Sequence, residues 1–332
     1  MHPFRTATHH TAPVPRYAMA HSVTTHADLS APTDELWRIH DHAYVASRGT
    51  SAVLSPSLLD VKIELAKRIY RCCHFCERRC HTDRTTTSGF CGVQDSNYSS
   101  EFLHYGEEDE LVPSHTIFFT GCTFKCAFCQ NRDIARHPLA GLHADPNRLA
   151  WRIYERAQEG SRNVNWVGGD PTPHVLTILK TLRALADFSH RNDVDVRFLH
   201  TPAVFNSNAY YSNETMRLLD GAVDIYLSDF KYGNDACARR YSHVEAYVET
   251  VTRNLIDSRD RLIIRHLVMP GHLDCCTSPI IKWVRETMPE VRFNLMFQYT
   301  PYNVAEYPEI NRYLTDVERR DALRAAKGLN LI

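Results

Sequence analysis

The deciding stretch of this sequence reads Thr120-Gly121-Cys122-Thr123-Phe124-Lys125-Cys126-Ala127-Phe128-Cys129-Gln130-Asn131. Its three cysteines have the spacing C-x3-C-x2-C, with an aromatic residue directly before the last one. Three thiolates can hold three irons of a [4Fe-4S] cube, which normally takes four cysteines, so the fourth iron would be left open for another ligand. Two other interpretations stay open at this point: a zinc ion with a fourth ligand from elsewhere, and ordinary buried thiols.

The residues before this motif predict its place in the fold. His115–Thr120 form a short β-branched and aromatic run between Pro113 and Gly121, which is typical of a strand. A cysteine loop directly after a strand is expected at the carboxyl-terminal mouth of a β/α barrel, where the loops that follow the strands build the site.

Composition places the chain among ordinary globular proteins, with 332 residues, 43% apolar and 23% charged. The formal net charge of −1 offers no attraction to nucleic acid or to an anionic membrane. No run of about 18 apolar residues predicts a transmembrane helix. Eight of the 11 cysteines lie between Cys72 and Cys129, which favours metal binding in a reducing compartment over a disulfide framework. We therefore expect a cytoplasmic protein that binds neither nucleic acid nor membranes.

Three segments are expected along the chain. Residues 1–33, rich in His, Thr, Ala and Pro, predict a poorly ordered tail. Residues 34–112 predict a helical and cysteine-rich segment, in which Ser55 or Ser57 begins a helix that runs to about Tyr70. Residues 113–332 alternate strands with helices and predict the core domain.

Six strand–helix units in the core predict an α/β fold with a parallel sheet and right-handed connections. The expected form is a partial (β/α)6 barrel similar to a TIM barrel, and a doubly wound open sheet is the alternative. The predicted strands are His115–Thr120, Asn163–Val167, Val194–Leu199, Ala222–Asp229, Leu262–Val268 and Val291–Gln298. The predicted helices lie near Pro146–Gln158, Pro173–Ser189, Asn213–Leu219, Ala236–Ile256, Ser278–Thr287 and Thr315–Lys327.

A glycine-rich turn follows the second predicted strand, with the sequence Gly168-Gly169-Asp170-Pro171-Thr172-Pro173-His174. Two glycines permit a backbone turn that other residues resist and let carbonyl groups approach a ligand closely. Carbonyl oxygens and one carboxylate are suitable partners for an ammonium group. The structural alternative is a tight turn into a helix, with Pro173 near the first helical position.

Polar residues recur where the later strands are predicted to end. They are Asn206, Asn208, Asp229, Lys231 and Arg265. Each one alone is more often a cap or turn residue, but their recurrence at successive strand ends is what a barrel active site requires.

With these residues, the chain resembles the radical S-adenosylmethionine (SAM) proteins, and within them the branch similar to pyruvate formate-lyase activating enzyme. More narrowly, it resembles an uncharacterised subgroup with a cysteine-rich segment before the cluster motif and a Gly-Gly-[Asp/Glu]-Pro-Thr-Pro-His run. The resemblance covers roughly residues 70–300. It implies that Cys122, Cys126 and Cys129 bind a [4Fe-4S] cluster of which the open iron takes the amino and carboxylate groups of SAM. One electron then cleaves the sulfonium and yields a 5′-deoxyadenosyl radical.

The resemblance also implies roles for the strand-end residues. Gly168-Gly169-Asp170 resembles the Gly-Gly-Glu element that receives the SAM ammonium, with Asp in place of Glu. Asp229, Lys231 and Arg265 occupy positions that approach SAM in activating enzymes. Asn206 and Asn208 stand where the family often has Asp-Thr-Asn-Gly, of which the Asp is missing here.

A second cysteine group precedes the motif. Cys73, Cys76, Cys80 and Cys91 have the spacing C-x2-C-x3-C-x10-C. Four thiolates can close a tetrahedral zinc site, they can hold a second iron–sulfur cluster, or they can be reduced core cysteines, which the polar neighbours fit poorly. Cys237, Cys275 and Cys276 have no paired spacing, and we expect them to be structural.

These observations favour an enzyme that cleaves SAM and abstracts a hydrogen atom from an unknown substrate. A narrower form is an oxidoreductase that installs a radical on a flexible glycine loop of a partner protein. The resemblance further implies an electron donor such as flavodoxin or ferredoxin. The alternative class is a non-catalytic protein that binds zinc or an iron–sulfur cluster, which would need neither the glycine turn nor Arg265.

Overall fold

The fold is described from a computed structural model, which covers residues 14–46, 56–188, 191, 193–195 and 198–332. Its strands are β1 (Asn97–His104), β2 (Ser114–Phe119), β3 (Leu142–His143), β4 (Asn163–Gly168), β5 (Ala203–Ser207), β6 (Ile225–Asp229), β7 (Leu262–Leu267) and β8 (Arg292–Met296). Its α-helices are α1 (Arg16–Ser22), α2 (Thr33–Ala46), α3 (Leu58–Arg71), α4 (Arg132–Arg136), α5 (Pro146–Gln158), α6 (Val175–Asp187), α7 (Asn213–Leu219), α8 (Asp235–Ser242), α9 (Tyr247–Ser258), α10 (Ser278–Thr287) and α11 (Asp316–Ala325).

All eight strands form one mixed sheet in the order β3-β1-β2-β4-β5-β6-β7-β8. The strands from β2 to β8 in this order are parallel, whereas β1 pairs antiparallel with both β2 and β3. The sheet is not closed, because β3 and β8 are its two edges. The chain is thus an α/β protein, as its alternating pattern predicts.

One face of the parallel strands carries layers of side chains, because residues two apart in a strand point to the same side. Val204, Leu227 and Ile263 form one buried layer, which Leu111 from the β1–β2 loop covers. Two residues further along the same strands stand Asn206, Asp229 and Arg265, so the next layer is polar. The side chains of Asn206, Asp229 and Arg265 therefore lie directly above a buried apolar layer of the sheet.

The third parallel strand differs from the prediction. Val194–Leu199 is not a strand in its described residues, 194, 195, 198 and 199, while 196 and 197 lie outside the described part of the chain. The strand at this place is β5, where Ala203 pairs with Val164 and every side chain is buried. Pairing with β4 and burial on both faces decide this position, so Asn206 lies inside a strand and not in a loop.

The helix predicted at Ala236–Ile256 is two helices. His243, directly after α8, has a left-handed backbone with φ of 55°, and Ala246, directly before α9, has φ of 46°. A left-handed residue cannot continue an α-helix, so the chain turns there.

The N-terminal region is more ordered than its composition predicts. Within the expected tail, residues 14–33 contain the whole of α1, and residues 1–13 lie outside the described part of the chain. Tyr17 is 1% exposed and its hydroxyl donates to the Leu199 carbonyl at 2.9 Å, so tertiary packing holds the short helix. Ser57, one of the two expected N-caps, begins α3 in a reciprocal capping box with Asp60. Among the described helices, none is long and apolar enough to cross a membrane.

Candidate active site

An open cavity of about 270 Å³ lies at the carboxyl ends of the parallel strands. Its walls include all three motif cysteines and seven of the eight residues predicted to bind the cofactor. These are Cys122, Cys126, Cys129, Gly168, Gly169, Asn206, Asn208, Asp229, Lys231 and Arg265. Asp170 is the exception, because it is 2% exposed and does not line this cavity.

The loop that carries the motif cysteines is held by the end of α8. The backbone N–H groups of Lys125 and Ala127 donate to the carbonyls of Ser242 and Tyr241, at 3.2 and 2.7 Å. The Ser242 hydroxyl also donates to Cys126 Sγ at 3.0 Å. The loop is therefore fixed to the scaffold by the end of α8.

Burial controls the protonation of the motif thiols. It raises the pKa of Cys122 well above its ordinary value, and the Asp170 carboxylate adds to the effect. Burial also raises the pKa of Cys129 to about 11, with a further contribution from Cys126. Such thiols stay neutral until a metal supplies positive charge, because metal binding releases their protons.

Both glycines of the turn are required by the packing of the backbone. Gly168 has φ of +125°, and a Cβ there would lie 2.2 Å from the Phe119 nitrogen. A Cβ on Gly169 would lie 2.0 Å from the Gly121 carbonyl oxygen. A side chain at either glycine would therefore collide with the end of β2 or the start of the cysteine loop. The sequence analysis predicts instead that these glycines let the backbone approach a ligand.

Asp170 is part of a buried hydrogen-bond network. The Thr123 hydroxyl donates to Asp170 Oδ2 at 2.8 Å and accepts from Asn208 Nδ2 at 2.8 Å. Burial raises the pKa of Asp170 to about 6, although the hydrogen bond from Thr123 opposes the shift. The carboxylate therefore reaches the cavity only through neighbouring side chains, and Thr123 is a site residue that the sequence analysis missed.

Asp229 organises the charged side of the cavity. It accepts from Lys231 Nζ at 2.7 Å through one oxygen and from Arg265 Nε at 2.9 Å through the other. Burial raises the pKa of Asp229, but Arg265 and Lys231 outweigh it and lower the pKa to about 2, so the carboxylate remains ionised. Arg265 also donates to Asn206 and to Glu107, a residue that no sequence signal marked.

His174, at the end of the Pro-Thr-Pro-His run, contacts the residues that directly precede the cysteine loop. Its Nε2 donates to the Thr120 carbonyl at 2.9 Å, and its ring stacks on Phe119 at 4.2 Å between centroids. Burial lowers the pKa of His174 to about 3, so the ring is neutral. Since His174 is buried and bound to the backbone, its role is to position the end of β2.

Six of the eight other cysteines fall into two further groups. Cys73, Cys76, Cys80 and Cys91 line one separate cavity together with Thr123. Cys237 and Cys275 approach to 3.9 Å between their Sγ atoms, and a nitrogen of His272 lies within 4.8 Å of both. The structure thus groups cysteines that have no paired spacing in the sequence.

The site residues fit an iron–sulfur cluster and SAM. Three thiols face an open cavity, which leaves one side of a cluster free for a further ligand. The other walls offer backbone polar groups, amides and charges of both signs, which suit the amino and carboxylate groups of an amino acid.

Two solved structures show limited similarity to this chain. One is Streptococcus suis SuiB bound to precursor peptide SuiA, with a TM-score of 0.43 and 15% identity, covering 63% of this chain and 46% of that chain. The other is TsrM, the radical S-adenosylmethionine methyltransferase from Kitasatospora setae, with cobalamin and a [4Fe-4S] cluster bound. Its TM-score is 0.37 and its identity 16%, covering 57% of this chain and 38% of that chain. The chain spans less than half the length of either.

Sequence comparison identifies the family. The uncharacterized protein MJ0674 of Methanocaldococcus jannaschii is 46% identical over 312 residues, covering 90% of this chain and 88% of that protein. The profile of the Radical SAM superfamily matches residues 116–284, just over half of the chain, and this range contains the cysteine loop, the glycine turn and the charged group around Asp229. The protein therefore belongs to the radical SAM superfamily, whose members bind a [4Fe-4S] cluster and S-adenosylmethionine.

Proposed function

We propose that this protein is a radical SAM enzyme that removes a hydrogen atom from its substrate. Superfamily membership implies reductive cleavage of SAM with an iron–sulfur cluster, and the bound pair supplies the radical oxidant. The observation that carries the proposal is that the motif cysteines, the glycine turn and the Asp229 group line one open cavity. A non-catalytic metal protein would need only the cysteines.

The side chains of the cavity then have distinct tasks. Cys122, Cys126 and Cys129 hold the cluster. Lys231 and Arg265 supply the positive charge that the SAM carboxylate requires, and Asp229 keeps both cations in position through its two oxygens.

The remaining cofactor residues act through amides and backbone. The carbonyls of Gly168 and Gly169 would accept from the SAM ammonium, while Asn206 and Asn208 present amides to the same cavity. Asp170 is a positioning residue that acts through Thr123 and Asn208.

The sheet is proposed to curve as a partial (β/α)6 barrel of the radical SAM type. Glu108, before β2, accepts from Asn294 of β8 at 2.9 Å, and Gln130, after β2, donates to the Gln298 carbonyl at 3.3 Å. Four strands lie between β2 and β8, so a flat sheet would separate them by roughly 24 Å at about 4.8 Å per strand. Contacts at both ends of these strands support curvature that leaves a gap beside β8.

SAM cleavage is tested with anaerobically reconstituted protein, SAM and dithionite. We expect 5′-deoxyadenosine from the unmodified chain and none above background from the variant with Cys122, Cys126 and Cys129 all changed to Ala. The matched control changes Cys237, Cys275 and Cys276 to Ala, which removes the same number of thiols outside the cavity. If the unmodified protein binds its cluster and SAM but forms no 5′-deoxyadenosine, the non-catalytic alternative replaces this proposal.

The substrate is proposed, more narrowly, to be a flexible glycine loop of a partner protein, with flavodoxin or ferredoxin as electron donor in the cytoplasm. Resemblance to activating enzymes supports this form. The exposed amides of Gln130 and Gln298 at the cavity mouth also suit a peptide backbone, which both donates and accepts hydrogen bonds.

Electron paramagnetic resonance tests the activase form. The reduced protein and SAM are mixed with glycyl-radical enzymes from the same organism, and a doublet on a partner is expected. If SAM is cleaved and no partner acquires a radical, the activase form is wrong and the broader proposal stands.

A further inference from the structure

The second cysteine group converges on one place although its members are spread over 19 residues, from 73 to 91. All four thiols line one cavity, together with the rings of Phe75 and Phe90. Four neighbouring thiols in an apolar cavity form a ligand set for a metal centre.

The spacing of the thiols separates zinc from a cluster. Sulfurs on one zinc ion lie only about 3.8 Å apart, given a bond of about 2.3 Å and tetrahedral angles. In a cube of four irons each thiolate binds a different iron, so the sulfurs stand further apart.

The described part of the chain contains both kinds of spacing. The Cys237 and Cys275 sulfurs are 3.9 Å apart, as close as ligands of one ion. Among the described residues, no three sulfurs of the Cys73, Cys76, Cys80 and Cys91 group lie within 4.8 Å of one another. The same is true of Cys122, Cys126 and Cys129, the motif of the catalytic cluster. The second group therefore lacks the close packing of three sulfurs around one ion, as does the catalytic motif.

Charge around the second group points to a buried anion. Arg84 is fully buried, and its hydrogen-bond partners in the described chain are all carbonyls: Val93 at 2.9 Å, Pro173 at 2.6 Å and Gln94 at 3.5 Å. Arg78 likewise donates only to carbonyls and stacks on Phe90 at 3.4 Å. Two cations without carboxylate partners beside four thiols favour a negative group there, and four thiolates around a metal centre supply one. This charge supports a metal site and does not by itself select the metal.

The sulfurs also receive backbone hydrogen bonds. The Val93 N–H donates to Cys91 Sγ at 3.5 Å, and the Phe90 N–H donates to Cys80 Sγ at 3.5 Å. In the catalytic motif the Phe124 N–H donates to Cys122 Sγ at 3.3 Å, with the same separation of two residues as between Cys91 and Val93. Backbone donors of this kind stabilise thiolates and tune a cluster.

The second group lies against the catalytic loop. A Cβ on Gly121, the residue before Cys122, would be 3.0 Å from the Cys91 carbonyl oxygen. Thr123 lines the second cavity, and its carbonyl accepts from Arg78 Nε at 2.6 Å. The loop around Cys122 and Thr123 therefore contributes residues to both cavities.

We propose that Cys73, Cys76, Cys80 and Cys91 bind a second [4Fe-4S] cluster rather than zinc. With four thiolates every iron is coordinated, so this cluster has no open position for a substrate and its available chemistry is one-electron transfer. Its ligand set is separate from the catalytic motif, so the inference does not depend on SAM cleavage.

The test is metal and sulfide analysis of the full chain after anaerobic reconstitution with Fe²⁺ and sulfide in the presence of equimolar Zn²⁺. We expect about eight irons in the unmodified protein and about four in the variant with Cys122, Cys126 and Cys129 changed to Ala. That variant, reduced with dithionite, should give the paramagnetic signal of one [4Fe-4S]⁺ cluster.

Cys72→Ala is the matched control, since Cys72 is exposed, adjacent to Cys73 and absent from the cavity lining, and it should keep about eight irons. About one zinc and no iron in the triple variant would overturn the proposal. So would about four irons in the unmodified protein, a measurement that needs no variant to fold. Changing Cys73, Cys76, Cys80 and Cys91 to Ala should remove about four irons and leave the other four.

Discussion

The two cysteine cavities differ in the number of thiols and in how they are enclosed. The catalytic cavity has three thiols and is open, with about 270 Å³ of space beside them. The second has four thiols and only about 10 Å³ of space beside them, and its walls include two phenylalanine rings and two arginines. Under the proposed assignment, one missing thiolate separates a cluster that can take a further ligand from one in which every iron is coordinated.

The charged side chains of the two cavities also have different partners. Lys231 and Arg265 in the catalytic cavity are balanced by Asp229, so both signs are presented to a ligand that itself carries both. In the second cavity, the hydrogen bonds that Arg84 and Arg78 donate within the described residues all go to carbonyls. The positive charge of the two arginines is therefore available to the metal centre proposed for the second group.

The largest effect is expected from the backbone that supports the catalytic loop. Gly168→Ala should lower the free energy of unfolding by at least about 3 kcal/mol, because its Cβ would overlap the Phe119 backbone in addition to the strain of positive φ. Gly160→Ala is the matched control, with φ of +100° and no atom within 4 Å of the new Cβ, and should cost about 1–2 kcal/mol. Urea unfolding measures both. Equal losses would mean that contact with β2 contributes nothing.

A smaller loss of stability is expected on removing a charge beside the second cavity. Arg84→Met should lower the free energy of unfolding by about 2–3 kcal/mol, because carbonyls lose a charged donor. It should also reduce iron at the second centre while the catalytic cluster remains. Arg285→Met, at an exposed arginine that also donates to a carbonyl, is the control. Full iron content in the Arg84 variant would contradict the role of its charge.

The smallest loss of stability is expected at Thr123, which lies in the catalytic loop and lines the second cavity. Thr123→Val removes the hydroxyl that joins Asp170 to Asn208 and should cost about 1–2 kcal/mol of unfolding free energy. SAM affinity, measured by calorimetry, should fall about 3–10-fold, as expected for roughly 1 kcal/mol of lost positioning. Thr252→Val, at a half-exposed helical threonine, should change neither quantity. Unchanged affinity in the Thr123 variant would show that Asp170 does not act through this hydroxyl.

Local patterns in the sequence were sufficient for much of the fold and site. The parallel strands β2, β4, β6, β7 and β8 and the cysteine loop follow from short-range patterns of burial and turn residues. The prediction was wrong at Val194–Leu199 because β5 is selected by pairing with β4, a contact distant in the chain. The order at α1 was missed for the same reason, since Tyr17 is held by residues about 180 positions away.

Ligand spacing within one loop is a local property, and so both cysteine groups and the glycine turn could be identified from the sequence alone. Only the tertiary structure decided how these pieces act together. It placed Asp170 behind Thr123, gave Arg265 its partner Glu107, and joined Cys237 to Cys275. It also brought the four thiols of the second group to one cavity and buried Arg84 beside them. Distances between sulfurs and the burial of a charge depend on segments that meet only when the chain is folded, so spacing in the sequence could not supply them.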